Sequence, residues 1–465
     1  MRWHSTRARV HGIAVLLGFA VGFAAWIGVF ASQFGMPSLS SRWTWELLQK
    51  KQAIADRAQG PKLVVAGGSS ALFGIRAEQL GRELGVPAYN MATYAALGLP
   101  YMLHRIEGMV RPGDTVILSL EYELYYHDPF PPQVDFLSAH DPAYFEQLPI
   151  LKQLNGIFRI DLGRAISPWV ADPSVASPRN PLSAYEAKDQ LNAVGDALGN
   201  NAVLKNEGSR ALVDSLPAIP VDVKPPNERE IEAFAAWARE HRIKVLATHP
   251  SLIDFGPSWK TPQLRRAMEA IDQLHSRIGM PFVDRWEDVL YPRPFFFDTI
   301  YHLDSVAASI RTRALMARVR SHIDRSKAWA PLSPADPPNN PLAELAQNFA
   351  GWEPLTGFGM VEGPYPQWNL GPVIWAWSPR SEFVVRSDVA GLARFSASLR
   401  GSHAGQRTEL WAKGARLSAV EFEDDKDFRD WTAEVKLSAG ENRFVLLHSN
   451  GGYLSSLIRR MRIDR

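Results

Sequence analysis

Two serines stand where a hydroxyl could be presented for attack. In KLVVAGGSSALFGI, residues 62–75, three β-favouring residues run into Gly67-Gly68-Ser69-Ser70, and apolar sequence resumes at once. Only glycine takes positive φ at no steric cost and lets backbone approach closely, so the pair suits a turn that holds up a nucleophile. A tight strand-to-helix turn without chemistry needs the same glycines. A serine hydroxyl attacks only when a base takes its proton and a positioned acid holds that base. FFFDTIYHLDSVAASIRT, residues 295–312, offers both types: Asp298 and His302 stand in a short loop before a helix that Asp304 or Ser305 can cap.

These residues must be brought together by the elements around them. KLVVAG reads as a strand, AEQLGRELG as a helix stopped by glycine, VPAYNMA as a second strand, GLPYMLHRIEGMV as a helix and DTVILSL as a third strand. Further on, NEREIEAFAAWAREH is a helix leading into the strand KVLATH, and TPQLRRAMEAIDQLHSRIG a helix leading into the strand MPFVD. Strands separated by helices at this spacing indicate βαβ units and a mainly parallel sheet, an α/β fold. Ligands of such sheets bind beyond the carboxyl ends of the strands, where Ser69 and Ser70 sit. From about 125 to 223 the pattern dissolves into Pro-, Asp- and Asn-rich sequence with short helical pieces, read as an insertion covering one end of the sheet as a lid would. The α/β region spans 37–328 and a Pro-rich linker follows over 329–350. The alternating segments EFVVRSD, GLARFSASLRG, RTELWAKG and ENRFVLLHSN then predict an all-β sandwich over 351–465.

At the other end, Arg2, Arg7 and Arg9 precede an uncharged apolar run from Gly12 to about Phe30, long enough to cross a bilayer. Residues 1–36 thus form a cytoplasmic stub and single transmembrane anchor. Basic residues on the leading side place the bulk of the chain outside the inner membrane, in the periplasm. A cleaved signal peptide is the competing reading, since Val29 and Ala31 loosely fit a cleavage site. The 465-residue chain has no cysteine, which excludes disulfides, thiolate metal sites and a cysteine nucleophile. A net charge of +2 without a basic, aromatic-interleaved stripe argues against nucleic acid as a partner. No phosphate loop, dinucleotide fingerprint or zinc motif is present, so neither a cofactor nor a metal is expected. The acidic run Glu421–Asp427 could bind a cation but reads first as a solvated loop. His249, which follows a strand, could line the same cleft as the serines but reads first as a structural histidine.

A first strand ending in Gly-x-Ser and a late Asp/His pair before the final helix resemble the SGNH/GDSL hydrolases. The resemblance covers 62–323 apart from the insertion. It implies a flavodoxin-like three-layer sandwich with Ser as nucleophile and Asp and His as acid and base. Gly67-Gly68-Ser69 matches Gly-Asp-Ser with the Asp replaced and selects Ser69; the frame Gly68-Ser69-Ser70 selects Ser70. YNMATYAALG resembles the second family block: Asn90 matches, and Ala92 stands where a glycine N–H enters the oxyanion hole. A backbone donor survives that change. In LSLEYELYY, however, Glu121 stands where the family usually has an oxyanion-binding Asn, and an ionised carboxylate cannot donate. The Asp298/His302 spacing is also one residue longer than the family's. Asp304 as the acid, or a Ser–His dyad, therefore stay open.

Of the 15 tryptophans, several fall in GFGMVEGPYPQWNLGPVIWAW, residues 357–377. Exposed rings of Tyr365, Trp368 and Trp375 suit stacking on sugars; filling the sandwich core is the alternative for each taken singly. A β-sandwich appended to an SGNH-like domain resembles exported polysaccharide O-acetyltransferases, such as those acting on alginate. That resemblance implies an acetyltransferase or esterase with an exopolysaccharide and a membrane acyl-donor protein as partners. A catalytically silent polysaccharide-binding or scaffold protein of a secretion system is the rival from another class.

Overall fold

The computed structural model describes residues 2–36, 39–58, 60–126, 132–160, 163, 190–205, 225, 227–256, 261–329, 340–449 and 456–464. These form two compact units. The first comprises Met1–Glu46, Ala96–Gly98 and Asp128–Arg179. Its helix Arg2–Ala31 includes a 22-residue segment, Val10–Ala31, long and apolar enough to cross a membrane or to serve as a signal sequence. Phe30 meets Phe145 with ring centroids 5.8 Å apart and Phe23 meets Phe158 at 5.2 Å, while the Trp26 indole donates to the Ile157 carbonyl at 3.0 Å. The short helical pieces expected in the insertion include Pro132–His140, Pro142–Gln147 and Ile150–Ile157. Asp141 starts the second by accepting from the Tyr144 N–H, with Pro142 in the first turn where no N–H is needed. Residues 127–131, 161–162, 164–189 and 206–224 of the insertion lie outside the described residues.

The second unit, Leu47–Ala95, Leu99–His127 and Asn180–Arg465, holds the parallel sheet. Its strands are β1 (Leu63–Gly67), β2 (Ala88–Asn90), β3 (Thr115–Ser119) and β4 (Lys244–Ala247), ordered β2-β1-β3-β4. Every residue of β1 and β3 is buried, which explains why both read as unbroken apolar runs. The expected strand MPFVD shrinks to one bridge, Ala247 to Phe282. Two residues of contact leave too little ladder for a strand of its own.

The chain leaves β1 toward β2 on one side and returns to β3 on the other. The crevice between β1 and β3, beyond their carboxyl ends, is thus the switch point of the sheet. Gly67 pairs with Ser119, so the residues just past β1 and just past β3 must meet there. At the opposite end the Lys62 ammonium and Asp114 carboxylate, both fully buried, pair at 2.7 Å. Asp114 also accepts from the Lys62 N–H at 3.0 Å. The buried charge at the amino ends is structural, and the crevice lies at the other end of the sheet.

The C-terminal part is an antiparallel β-sandwich. One sheet runs Arg429–Leu437, Gly391–Gly401, Ser456–Asp464, Val373–Ala376, Phe358–Glu362, and the other Ala415–Glu421, Arg407–Ala412, Gly440–Ser449, Arg380–Ser387, Glu353–Thr356. Phe383, Phe395, Leu410, Phe444 and Ile458 interdigitate between them. Within the stretch read as linker, residues 330–339 lie outside the description, but Pro341–Asn348 is a helix. Asn340 caps it on the N–H groups of Leu342 and Ala343, and Leu342 and Leu345 enter the sandwich core. The proline cluster concealed a short amphipathic segment with a sound N-cap.

Candidate functional site

Ser69 opens the short helix Ser69–Gly74 directly beyond β1. The turn depends on both glycines, for different reasons. Gly67 has φ +140°, and a Cβ there would lie 1.8 Å from the Ser119 carbonyl oxygen. At Gly68 a Cβ would come within 2.2 Å of Glu121 Oε2. The glycines therefore admit β3 and the Glu121 carboxyl against the turn.

The two serines have different fates. Ser70 is fully buried, its hydroxyl 3.4 Å from that of Ser251 and its carbonyl facing the buried Arg311 guanidinium at 3.5 Å. Ser69 retains 7% exposure, and its hydroxyl donates to Glu121 Oε1 at 3.4 Å. The same Oε1 accepts the Ser70 N–H at 2.6 Å. Ser70 is packed as a structural hydroxyl; Ser69 is buried as well, but it alone of the two keeps any solvent exposure.

Asp298 and His302 lie in a loop closed by a Phe296–Leu303 bridge and by the Phe297 N–H donating to the His302 carbonyl at 2.7 Å. Thr299 Oγ1 accepts from the N–H groups of Tyr301 and His302. This closure carries the extra residue of the spacing: Asp298 Oδ1 reaches His302 Nδ1 at 2.7 Å. Because an ionised carboxylate only accepts, Nδ1 is the donor, and in the neutral tautomer this bond selects the lone pair lies on Nε2. The imidazole packs on Phe73 with centroids 4.5 Å apart. Phe73 follows Ser69 by one helical turn, so the two share a face and His302 lies against it. Ser69 and His302 make no direct hydrogen bond with each other; such bonds are often long before substrate binds. Asp304, the other candidate acid, is committed elsewhere: Oδ1 caps the helix Ser305–Val319 on the Ala307 N–H, and Oδ2 pairs with Lys205 at 2.5 Å.

Asn90 and Ala92 take another role. Asn90 Nδ2 donates to the carbonyls of Ala71 and Ile75 at 3.2 and 2.9 Å, pinning the end of the serine helix. Its Oδ1 accepts the Ala92 N–H at 3.1 Å, so the backbone donor expected for an oxyanion is already engaged. An Asx turn from residue 90 to 92 wins it locally. Lys51, buried and donating to the Asn90 and Gly195 carbonyls at 2.5 and 2.6 Å, is lowered to about 7 by desolvation.

Three positioning residues escaped the sequence reading. Asn200 Nδ2 donates to the Phe73 carbonyl at 2.9 Å and the Leu303 carbonyl at 2.7 Å, tying the serine helix to the histidine loop. Arg311 bonds the Ser119 and Ser251 hydroxyls at 3.3 Å each and the His249 carbonyl at 2.7 Å. His249 is fully buried and stacks on Phe282 at 3.8 Å, as a structural histidine does. Glu121, first read only as a missing donor, touches both serines. Burial holds its pKa above the usual carboxylate range, against the Ser70 N–H bond.

In the sandwich, Trp352 is buried and donates to the Met461 carbonyl at 2.7 Å, and Trp431 is in the core. Trp368 is 69% exposed on the turn between Phe358–Glu362 and Val373–Ala376. The Tyr365 ring lies 5.1 Å from it, its hydroxyl donating to Glu362 at 3.0 Å. Trp375 is half-buried in its strand. Asp424 of the acidic run accepts from the Lys426 and Asp427 N–H groups, an ordinary loop cap. No group of side chains among the described residues is arranged to hold a metal ion.

No protein-family model matches the chain, and no curated protein is similar to it. Among solved structures it is similar to carbohydrate-binding modules. The module of lichenase 5A from Cellvibrio mixtus, solved with cellotriose, is 13% identical over 24% of this chain and 88% of that one, with a TM-score of 0.19. A family 35 module from Clostridium thermocellum is 13% identical over 25% of this chain and 93% of its own, at 0.20. One from Paenibacillus barcinonensis is 14% identical over 25% and 93%, at 0.19.

Proposed function

We propose that the chain is a membrane-anchored, periplasm-facing serine acyltransferase or esterase of the SGNH type, acting on acetyl esters of an exported polysaccharide. The observation that carries this reading is the Asp298–His302 bond of 2.7 Å, which leaves Nε2 basic beside the face bearing Ser69. Ser69 Oγ attacks the acyl carbon as its proton passes to His302 Nε2. Collapse expels the alcohol with that proton and leaves acyl-Ser69. A sugar hydroxyl or water then attacks in the same way, and Ser69 is regenerated. A serine-directed phosphonate applied to the full chain should label Ser69 stoichiometrically. An unlabelled protein that also releases no acetate from an activated ester would favour the non-catalytic binding protein.

Trp368 and Tyr365 support a glycan platform, since an exposed indole with a tyrosine beside it offers a stacking face with polar groups at its edge. Trp368→Ala in the full chain is expected to weaken retardation in polysaccharide-containing native gels about tenfold, from the loss of about 1.4 kcal/mol of stacking. An unchanged mobility would reassign that ring. Arg2, Arg7 and Arg9 ahead of the apolar helix support an anchor with an exported bulk. A reporter fused after Arg465 should be active only outside the cytoplasm, and the chain should resist extraction by salt. Salt-released protein would point to a cleaved leader instead.

A further inference from the structure

Glu121 follows β3 by two residues and fills the crevice at the switch point. Oε1 lies 2.6 Å from the Ser70 nitrogen and 3.4 Å from Ser69 Oγ. Oε2 is buried and has no hydrogen-bond partner, at the spot that Gly68 keeps free of a Cβ. No cation contacts this carboxyl among the described residues; Arg311 bonds Ser70, Ser119, Ser251 and His249 through its two terminal nitrogens, and its Nε is buried without a partner. One oxygen is therefore an engaged acceptor, and the other is an orphan on which Arg311 and His302 act only at a distance, without an ion pair. That pattern is met by a neutral carboxylic acid, as it would be by an amide.

We propose that Glu121 works as an uncharged acid whose O–H hydrogen-bonds the oxyanion formed when Ser69 attacks its acyl substrate, in place of the absent amide donor. The assignment rests on the acyl-transfer reading above. The proton stays on Glu121 throughout: the carbonyl π-electrons move to oxygen on attack, the O–H stabilises the resulting charge, and the electrons return as the alcohol leaves. A buried unpaired polar atom costs stability wherever it is not used, and a reacting oxygen gives Oε2 a partner. Facing the carboxyl are Glu123 from the same segment, Tyr125 beyond it, Tyr301 and His302 from the loop, and Arg311 from the helix Ser305–Val319. Burial outweighs their combined effect and raises the pKa, so the acid form extends to higher pH than for an exposed glutamate.

Glu121→Gln, isosteric and permanently neutral, separates the possibilities. Acetate release by the full chain should stay within about tenfold of wild type, and the alkaline decline caused by ionisation of Glu121 should vanish. Glu121→Leu should lose on the order of 10²–10³-fold, the value of one oxyanion donor. Wild type should also lose melting temperature relative to Glu121→Gln as pH rises, because a raised folded-state pKa stabilises only while the group stays protonated. A folded Glu121→Gln as inactive as Ser69→Ala would overturn the proposal, because it would mean that the carboxylate acts as a base. Superimposable pH profiles would overturn it as well. Failure of the phosphonate to label wild-type Ser69 removes the acyl-transfer reading itself, a result independent of either Glu121 variant.

Discussion

Ser69→Ala is expected to cut acetate release from an activated ester by roughly 10⁴-fold or more, while Ser70→Ala leaves most of it. The contrast follows from placement. Ser69 is buried but keeps 7% exposure, and its Oγ bonds only Glu121, whereas Ser70 is fully buried with its Oγ against Ser251. His302→Ala should be about as damaging as Ser69→Ala, and the double variant hardly worse, since members of one proton-transfer unit do not contribute additively. Asp298→Asn should approach the same loss, because an amide Nδ2 facing Nδ1 favours the tautomer with its lone pair on the wrong nitrogen. Asp304→Asn should instead lower the melting temperature through the helix cap, with far less effect on rate. Steady-state kinetics on all six variants, the double one included, with melting curves as the folding check, decide the matter. Full activity in both serine variants would leave the Gly-Gly turn as only a turn.

The second large effect is expected at Asn200, which touches no reacting atom. Asn200→Ala strips the donor from the Phe73 and Leu303 carbonyls, each buried, at about 1–3 kcal/mol apiece. Asn200→Asp sets an acceptor against two acceptors and should destabilise more. Beyond the lowered melting temperature, kcat should fall about 100-fold with KM little changed, because the serine helix and histidine loop lose their shared tether. A structural role alone would lower the melting point and spare kcat in protein that stays folded at the assay temperature. Asn200→Gln with unaltered kinetics would deny that the tether's length matters.

How far these residues could be read in advance depended on how local their signals are. Gly67-Gly68 after an apolar run announces a crowded turn, since the crowding atoms arrive at a position the strand itself defines. The helices Ala77–Leu84 and Leu99–Met109 were legible from apolar spacing and, for the first, from Gly85, which takes φ +72° at the stop. The Asp298–His302 pair was legible by type, but its contact depends on a loop closure that spacing does not encode. Glu121 and Asn200 were opaque. Glu121 acquires meaning only through the pairing of Gly67 with Ser119, and Asn200 lies in a stretch without periodicity, 127 positions from its partner Phe73. Ala92 was misread because the Asn90 side chain, two residues away, claims its N–H.

The Lys205–Asp304 ion pair bears on how this protein can be altered. Lys205 also lies 3.4 Å from Glu353 and donates to the Pro294 carbonyl at 2.6 Å, while Arg386 pairs with Glu353 and stacks on Phe295 at 5.2 Å. Glu353 and Arg386 belong to sandwich strands; Pro294, Phe295 and Asp304 flank Asp298 and His302. Two carboxylates and two cations thus share one dry compartment across the seam, and removing any single member leaves its partner as uncompensated buried charge. The β-sandwich is consequently no interchangeable cassette. Grafting another module in its place, or trimming it away to obtain a minimal α/β domain, would loosen the very loop that holds His302, unless the graft brings its own carboxylate and guanidinium to that seam.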